Sequence, residues 1–173
     1  SSSSRGLGDV YKRQIPDYPK PGILFRDVTT LLLDPIAFHQ TVSELAKPFE
    51  GSEIDKVVGI EARGFIFGAA VAYELNVGFV PARKAGNLPS EVFQQHYDLE
   101  YGSSTLEIHK DAIQPDDKII VVDDLLATGG SACAAIDLIL GAGGSVVGCG
   151  FVVELSHLTL SLIHISEPTR RRT

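Results

Sequence analysis

The sequence predicts an α/β fold in which a central, mostly parallel β-sheet is flanked by helices. Two observations carry this prediction. Predicted strands and helices alternate along the chain, and the strands are continuously apolar, as in "KIIVV", instead of alternating between apolar and polar residues. A strand that is apolar on both faces is typical of a parallel sheet covered by helices on both sides.

Local signals predict the individual elements. Asp34 followed by Pro35 indicates a helix start, because aspartate at the N-cap and proline in the first turn both favour one. The helix is predicted to continue with one apolar face, formed by Phe38, Val42, Leu45 and Ala46. Strands are predicted at "KVVGI", "VGFVPARK", "KIIVVDD" and "SVVGCGFVVEL", with helices over "GFIFGAAVAYEL" and "GGSACAAIDLILGAGG".

The stretch from Lys84 to Lys110 interrupts the alternation. It contains two β-like runs on either side of Gly102, in "HYDLEYGSSTLEIHK". We expect a hairpin that stands off the sheet. A long excursion next to a ligand site is often a lid.

Length and composition restrict the class of protein. The 173 residues are expected to form one domain, and the net charge of −7 argues against general nucleic-acid or membrane-surface binding. No apolar run approaches the roughly 20 residues of a membrane-spanning helix. Two cysteines, Cys133 and Cys149, provide no disulfide framework, so we expect a reducing, cytoplasmic location.

The two ends differ in character from the middle. Residues 1–14 contain a Ser run and a basic stretch, and residues 159–173 end in three consecutive arginines. Both are expected to be either appended, non-native sequence or disordered tails. The single domain is then predicted to span residues 15–158, with the hairpin excursion at about 84–110.

An acidic pair follows the third predicted strand. Asp123 and Asp124 precede a turn of small residues, Ala127 through Ser131, that leads into a helix. Backbone N–H groups at a helix start favour an anion, and glycines allow a phosphate to approach closely. Adjacent carboxylates accept hydrogen bonds from sugar hydroxyls. The pattern predicts a ribose 5-phosphate site; the alternative is a helix start with ordinary capping acids.

Further candidate residues lie at the ends of the other predicted strands. Arg63 in "EARG" and Arg83 and Lys84 in "ARK" could bind pyrophosphate oxygens, since arginine pairs with phosphate through two parallel hydrogen bonds. Taken alone, these residues could equally be solvated surface charges. The five histidines show no metal-ligand spacing and are expected at the surface, and Cys133 is expected to be buried in its helix.

These motifs together resemble the type I phosphoribosyltransferases, whose shared motif is the strand, acid pair and Thr-Gly-Gly turn of "VVDDLLATGG". Other motifs are similar to the adenine-specific members of that family: "DYPKPGILFRDVT", "EARGFIFGA", "VPARKAGNLP", "YDLEYG" and "LEIH". The resemblance covers nearly all of residues 15–158. It implies the type I phosphoribosyltransferase fold with a hood hairpin.

The resemblance implies transfer of phosphoribose from 5-phosphoribosyl-1-pyrophosphate (PRPP) to N9 of adenine, giving AMP and pyrophosphate in purine salvage. It assigns the ribose hydroxyls to the acid pair and pyrophosphate to the basic residues, with a cis peptide at Glu61–Ala62. The 5′-phosphate would be held by five consecutive residues: Ala127, Thr128, Gly129, Gly130 and Ser131. The family commonly has Thr in place of Ser131 and a second Lys in place of Asn87.

The remaining implied roles concern the base and the lid. Glu100 is the implied proton acceptor at the purine, on a lid that also carries Tyr101. The adenine pocket would be formed by Leu24, Phe25, Arg26 and Leu155. The resemblance also implies a homodimer, and Mg²⁺ that is carried in by PRPP and not by a protein metal site.

Two alternatives remain open at this point. One is a phosphoribosyltransferase for another base, such as xanthine, hypoxanthine or orotate. The other is a non-catalytic homologue that senses PRPP or nucleotides. The "PGILFRD" and "LEYG" motifs favour adenine as the base, and the presence of Glu100 and Arg63 favours an enzyme.

Overall fold

The computed structural model describes residues 15–16, 24–25, 28–99, 101–124, 130–152 and 163–164. In chain order their elements are β1 (Ile15–Pro16), β2 (Leu24–Phe25), α1 (Val28–Leu33), α2 (Pro35–Ala46), a 3₁₀ turn (Lys47–Phe49), β3 (Lys56–Ile60), α3 (Arg63–Leu75), β4 (Gly78–Lys84), β5 (Val92–Asp98), β6 (Ser103–His109), β7 (Lys118–Asp123), α4 (Gly130–Gly141), β8 (Ser145–Phe151) and β9 (Ile163–His164). No helix within these ranges is long and apolar enough to cross a membrane.

The central four strands of the sheet are parallel, as the apolar runs predict. The sheet has the order β5-β6-β4-β3-β7-β8-β9, in which β3 pairs in parallel with both β4 and β7, and β7 with β8. The outer pairings, β5–β6, β6–β4 and β8–β9, are antiparallel. The predicted fold class, a mostly parallel sheet flanked by helices, is confirmed.

Helices cover both faces of this sheet, so the core has two layers. One layer packs α1, α2 and α3 against β3 and β7, with Phe67 and Val71 fully buried between them. The other layer packs α4 against the opposite face, where Leu106, Ile108 and Ile139 are fully buried. Burial on both faces explains why the central strands are apolar at consecutive positions.

The start of α2 agrees with the prediction in detail. The carboxylate of Asp34 accepts hydrogen bonds from the backbone N–H groups of Ile36 and Ala37, both at 3.0 Å, and Pro35 is the first helical residue. These bonds satisfy N–H groups that have no partner inside the helix.

The predicted hairpin is present, but it belongs to the sheet. Strands β5 and β6 pair along seven residues each, and Leu99 N–H donates to Gly102 O at 2.9 Å across the turn. Strand β6 also pairs with the end of β4, through Arg83 opposite Glu107 and Lys84 opposite Leu106. The hairpin therefore extends one edge of the sheet instead of standing off it.

Three further expectations need correction. The last predicted parallel strand ends at Phe151, and Val152 is already helical. Cys133 is exposed, and it is Cys149 that is buried; both thiols are free. His109 is half-buried, and its Nε2 is a buried atom without a hydrogen-bond partner in the described part of the chain. The domain boundaries at 15 and 158 stay predictions, and β9 lies beyond the second of them.

Helix α3 approaches the sheet unusually closely, through glycines on both elements. A Cβ atom added to Gly59 of β3 would lie 2.6 Å from the Phe79 ring and 2.7 Å from the carbonyl oxygen of Gly64 in α3. A Cβ atom on Gly64 would lie 3.0 Å from the Val122 carbonyl oxygen in β7. Since backbone atoms cannot move away as a flexible side chain can, only glycine allows this separation between helix and sheet.

We predict that Gly59→Ala destabilises the protein by about 1–3 kcal/mol, because the added methyl group overlaps both an aromatic ring and a backbone oxygen. Thermal unfolding of the variant and the parent protein measures the effect. Gly141→Ala is the matched control, since a Cβ atom there meets nothing within 4 Å. An equal midpoint for Gly59→Ala and the parent would contradict the close approach.

Candidate active site

The candidate site lies where three neighbouring parallel strands end. Strands β4, β3 and β7 are adjacent in the sheet, so their carboxyl ends lie side by side at one edge. Ligands of open α/β sheets bind beyond this edge. The structure brings together five of the sequence-predicted site residues there: Arg63, Arg83, Lys84, Asp123 and Asp124.

The acid pair at the end of β7 is buried. Asp123 is 7% exposed and Asp124 is 5% exposed, and the Asp124 N–H donates to Asp123 Oδ1 at 2.8 Å. Burial raises the pKa of Asp123 well above its ordinary value, and the neighbouring Asp124 carboxylate raises it further. The pair therefore stores unfavourable electrostatic energy that donors from a ligand could relieve.

Arg63 lies directly beside this pair. It is the first residue of α3, and its Nε donates to Asp124 Oδ2 at 2.6 Å. The helix start reaches this position because Gly64 packs against β7, with no Cβ atom between Gly64 and Asp123. About 40% of the Arg63 side chain is exposed. The guanidinium is thus held by a buried carboxylate while part of it faces solvent at the strand ends.

Glu61 bonds to Arg83 and to the segment that follows it, a role that the sequence did not predict. Its Oε1 accepts from Arg83 Nε at 3.1 Å, from the backbone N–H of Lys84 at 2.9 Å and from Asn87 Nδ2 at 3.4 Å. The Arg83 guanidinium also lies over the ring of Phe65, with 5.8 Å between the guanidinium carbon and the ring centroid. The bond to Glu61 and the contact with the Phe65 ring together restrain the direction of the Arg83 side chain.

The electrostatics of Glu61 keep it ionised. Burial raises its pKa and is the largest single influence, but the hydrogen bonds from Lys84, Arg83 and Asn87 together outweigh burial, so the net pKa is lowered. Arg83 therefore lies next to a permanent negative charge at neutral pH.

The peptide between Glu61 and Ala62 is cis, as the family resemblance implies.

Of the predicted phosphate-binding turn, Ala127 through Ser131, the structure describes only the last two residues. Gly130 begins α4, and Ser131 follows in the first turn as a half-buried residue. Ala127, Thr128 and Gly129 lie outside the described residues. The described part agrees with the predicted position of the turn, directly between β7 and the N-terminus of α4, where helix geometry favours an anion.

The predicted lid and base residues are described only in part. Tyr101 is 87% exposed at the tip of the β5–β6 hairpin, next to Leu99, which is 47% exposed. Glu100 lies outside the described residues, between these two. Leu24 and Phe25 form β2, whose backbone pairs with β1. Arg26 and Leu155 lie outside the described residues, so their predicted roles stay predictions.

The described groups place both acidic and basic side chains at this edge of the sheet. The carboxylates of Asp123 and Asp124 lie at the end of β7 beside Arg63, and the Arg83 guanidinium lies at the end of β4 beside Glu61. Such an edge can accept hydrogen bonds from a diol on one side and bind a multiply charged anion on the other.

Comparison with known proteins agrees with this chemistry. The model of the phosphoribosyl transferase domain family matches residues 28–162. Adenine phosphoribosyltransferase of Thermobifida fusca (strain YX) is 55% identical over 152 residues, which cover 88% of this chain and 86% of the relative. The corresponding protein of Koribacter versatilis (strain Ellin345) is 57% identical over 149 residues, covering 86% and 82% of the two chains.

Solved structures show the same fold. The crystal structure of adenine phosphoribosyltransferase from Rhodothermus marinus is similar with a TM-score of 0.71 and 48% identity, covering 84% of both chains. The structure of the Saccharomyces cerevisiae enzyme, complexed with an imino-altritol bisphosphate and adenine, has a TM-score of 0.70 and 41% identity, covering 84% of this chain and 86% of that one. The chain therefore belongs to the type I phosphoribosyltransferase family.

Proposed function

We propose that this protein is an adenine phosphoribosyltransferase, which transfers phosphoribose from PRPP to N9 of adenine and releases AMP and pyrophosphate in purine salvage. The observation that carries the proposal is the buried acid pair held beside Arg63 at the strand ends. Relatives named adenine phosphoribosyltransferase, at 55% and 57% identity, support adenine as the base.

Asp123 and Asp124 are proposed to bind the ribose. A ribose ring offers two adjacent hydroxyl donors, and the pair offers four carboxylate oxygens, one of which already accepts from the Asp124 N–H and one from Arg63. Hydroxyl donors would stabilise the ionised form of both acids. Residues Ala127 through Ser131 are proposed to hold the 5′-phosphate at the N-terminus of α4.

Arg63, Arg83 and Lys84 are proposed to bind the pyrophosphate. As the bond between C1′ and the pyrophosphate oxygen breaks, the electron pair leaves with that oxygen, and the positive side chains stabilise the charge that develops there. The contacts that Glu61 makes keep Arg83 in place before the substrate binds, so less ordering is needed during the reaction. Asn87 retains a hydrogen-bond donor here without adding a charge.

The base completes the reaction from the opposite side. A lone pair on N9 of adenine forms the new bond to C1′, and the proton that the purine loses is proposed to pass to Glu100. The hairpin that carries Glu100 and Tyr101 is proposed to close over the site and exclude water, which would otherwise hydrolyse the activated sugar. Leu24, Phe25, Arg26 and Leu155 are proposed to form the adenine pocket.

Mg²⁺ is proposed to bind together with PRPP. Among the described residues no three His, Cys, Asp or Glu side chains form a group that could hold a metal ion, so the ion would be held mainly by oxygens of PRPP, with the carboxylates at the end of β7 available to its water shell. When bound, the ion neutralises part of the pyrophosphate charge. The residues of this chain orient the sugar and the leaving group around it.

We further propose a cytoplasmic homodimer. The two free thiols support a reducing compartment. Large apolar side chains are exposed on two helices, with Tyr73 of α3 at 88% and Leu33 of α1 at 84%. Burial of such side chains against a second copy would lower the free energy of the assembly.

The proposed reaction can be tested directly. Incubation of the protein with PRPP, Mg²⁺ and adenine should yield AMP and pyrophosphate, detected by chromatography, with parallel incubations of hypoxanthine, xanthine, guanine and orotate as comparisons. Turnover of another base without AMP would overturn adenine as the substrate. Binding of PRPP without turnover of any base would favour the nucleotide-sensing alternative.

Glu100→Gln should lower kcat about 10²–10⁴-fold, because the amide cannot accept the proton that leaves the purine. The affinity for PRPP, measured by calorimetry, should stay within a factor of two. Glu91→Gln is the matched control, since Glu91 lies in the same excursion and its side chain is 85% exposed. Unchanged kcat in Glu100→Gln would rule out this carboxylate as the proton acceptor.

Asp123→Asn should weaken PRPP binding and yet stabilise the free protein. Because the pKa of Asp123 is raised on folding, the folded state keeps a proton that the unfolded state loses above about pH 4, so ionisation costs stability as the pH rises. We expect a thermal midpoint about 2–4 °C above the parent at pH 7.5, since about 1 kcal/mol is regained, with a smaller gain near pH 4.

The exposed residue Asp111 provides the control for this effect, and Asp111→Asn should change neither quantity. A stability gain that is the same at both pH values would show that burial of the Asp123 charge is not its cause.

A further inference from the structure

We propose that Glu107 is a positioning residue that ties the β5–β6 hairpin to the loop after β4, which follows the proposed pyrophosphate-binding residues Arg83 and Lys84, so that one buried carboxyl group sets the distance between the hairpin and the leaving-group site. The inference rests on the function proposed above. It concerns a residue outside the strand-end site, and it assigns to that residue an effect on PRPP binding and not on adenine binding.

Glu107 is set apart by its burial. Four polar or charged residues are buried in the described part of the chain: Thr41, Glu107, Asp123 and Asp124. Two of these belong to the site, and the Thr41 hydroxyl donates to the carbonyl oxygen of Ala37 within α2. Glu107, only 4% exposed in the middle of β6, remains as a buried carboxyl group that belongs neither to the strand-end site nor to a helix.

Both oxygens of this carboxylate are occupied by donors from different segments. Oε1 accepts from the backbone N–H of Gly86 at 3.1 Å, and Oε2 accepts from Gln94 Nε2 in a short hydrogen bond. Gly86 lies in the loop after β4, and Gln94 lies on β5. The φ angle of Gly86 is +89°, a left-handed conformation that glycine adopts without strain and that is part of the turn that directs its N–H group toward Glu107.

A carboxylate suits the two contacts of Glu107. Burial of a charge is unfavourable unless hydrogen bonds compensate it, and no lysine, arginine or histidine in the described ranges forms an ion pair with Glu107 within 4.0 Å. A carboxylate accepts from two donors without donating itself, so it can join two segments that both present N–H groups. Hydrogen bonds to a charged acceptor are about twice as strong as those between neutral groups.

The pairing of the strands places Glu107 between β4, which carries Arg83, and β5, the other strand of the hairpin. Glu107 lies opposite Arg83 on β4 and opposite Gln94 on β5, so the three side chains form one row across the sheet. The loop that contains Gly86 begins at Lys84, whose N–H group is bonded to Glu61. Glu61, directly after β3, therefore bonds to the start of this loop, and Glu107 bonds to it from the hairpin. In the sequence, strand β5 of that hairpin is followed closely by Glu100.

Glu107→Leu removes both hydrogen bonds and replaces the carboxyl group by an apolar side chain of similar size. We expect the KM for PRPP to rise about tenfold while the KM for adenine stays within a factor of two. Exchange of the Gly86 amide hydrogen with solvent, followed by NMR, should become at least about tenfold faster. Gln94→Leu breaks one bond from a surface position, and should raise the KM for PRPP less; it serves as the test if Glu107→Leu does not fold.

Glu107→Gln is the conservative variant. Its side-chain oxygen can accept from Gly86, and its NH₂ group can donate to Gln94 after rotation of the Gln94 amide, so the link is retained without the charge. We expect the KM for PRPP within a factor of two of the parent protein. Glu91→Gln, an exposed carboxylate of the same excursion, should also match the parent.

Two results would overturn the proposal. One is a folded Glu107→Leu variant with an unchanged KM for PRPP, and the other is equal impairment of Glu107→Leu and Glu107→Gln, which would assign the effect to charge and not to the link. If the parent protein makes no AMP, the proposed function fails first. Amide exchange at Gly86 and calorimetric titration with pyrophosphate then still test the link, since neither requires turnover.

Discussion

The close contact between α3 and the sheet is the constraint on which the site depends. Gly59 and Gly64 have no side chain of their own to hold the start of α3 away from the strands, so the helix start lies against the end of β7. Arg63, at the start of α3, is thereby close enough for its Nε to donate to Asp124 Oδ2 at 2.6 Å. A wider spacing between helix and sheet would separate Arg63 from Asp124, and the edge would lose the charge arrangement that is proposed to bind a phosphorylated sugar.

The buried acid pair lowers the stability of the folded protein, and the burial of apolar side chains in the core compensates for this. The protein keeps two adjacent carboxylates at 7% and 5% exposure, which raises the pKa of Asp123 and destabilises the folded chain at neutral pH. Two apolar layers compensate, with side chains such as Phe67, Ile108 and Ile139 fully buried on opposite faces of the sheet. A rigid core thus holds a costly but prearranged binding edge.

The sequence predicted the features that depend on neighbours in the chain. The strand and helix alternation, the Asp34 cap and the acid pair at a strand end all arise from local patterns. The roles of Glu61 and Glu107 could not be predicted, because their partners around the loop after β4 are 21 to 26 residues away. The burial of Cys133 was predicted wrongly because α4 begins with small residues on every side, so periodicity does not define its buried face. The end of β8 was missed because a short apolar run fits a buried strand and a buried helix equally.

The bond between Arg63 and Asp124 has a consequence for ligand discrimination. Both proposed halves of the PRPP site are joined by one pair of side chains, so a ligand that draws Arg63 toward its pyrophosphate also frees an oxygen of Asp124 for a ribose hydroxyl. A sugar phosphate without pyrophosphate must compete with the arginine for that oxygen, and pyrophosphate alone must separate an existing ion pair. Under the proposed roles of Arg63 and Asp124, the two ends of PRPP would bind with positive coupling, which would favour the intact donor over its fragments.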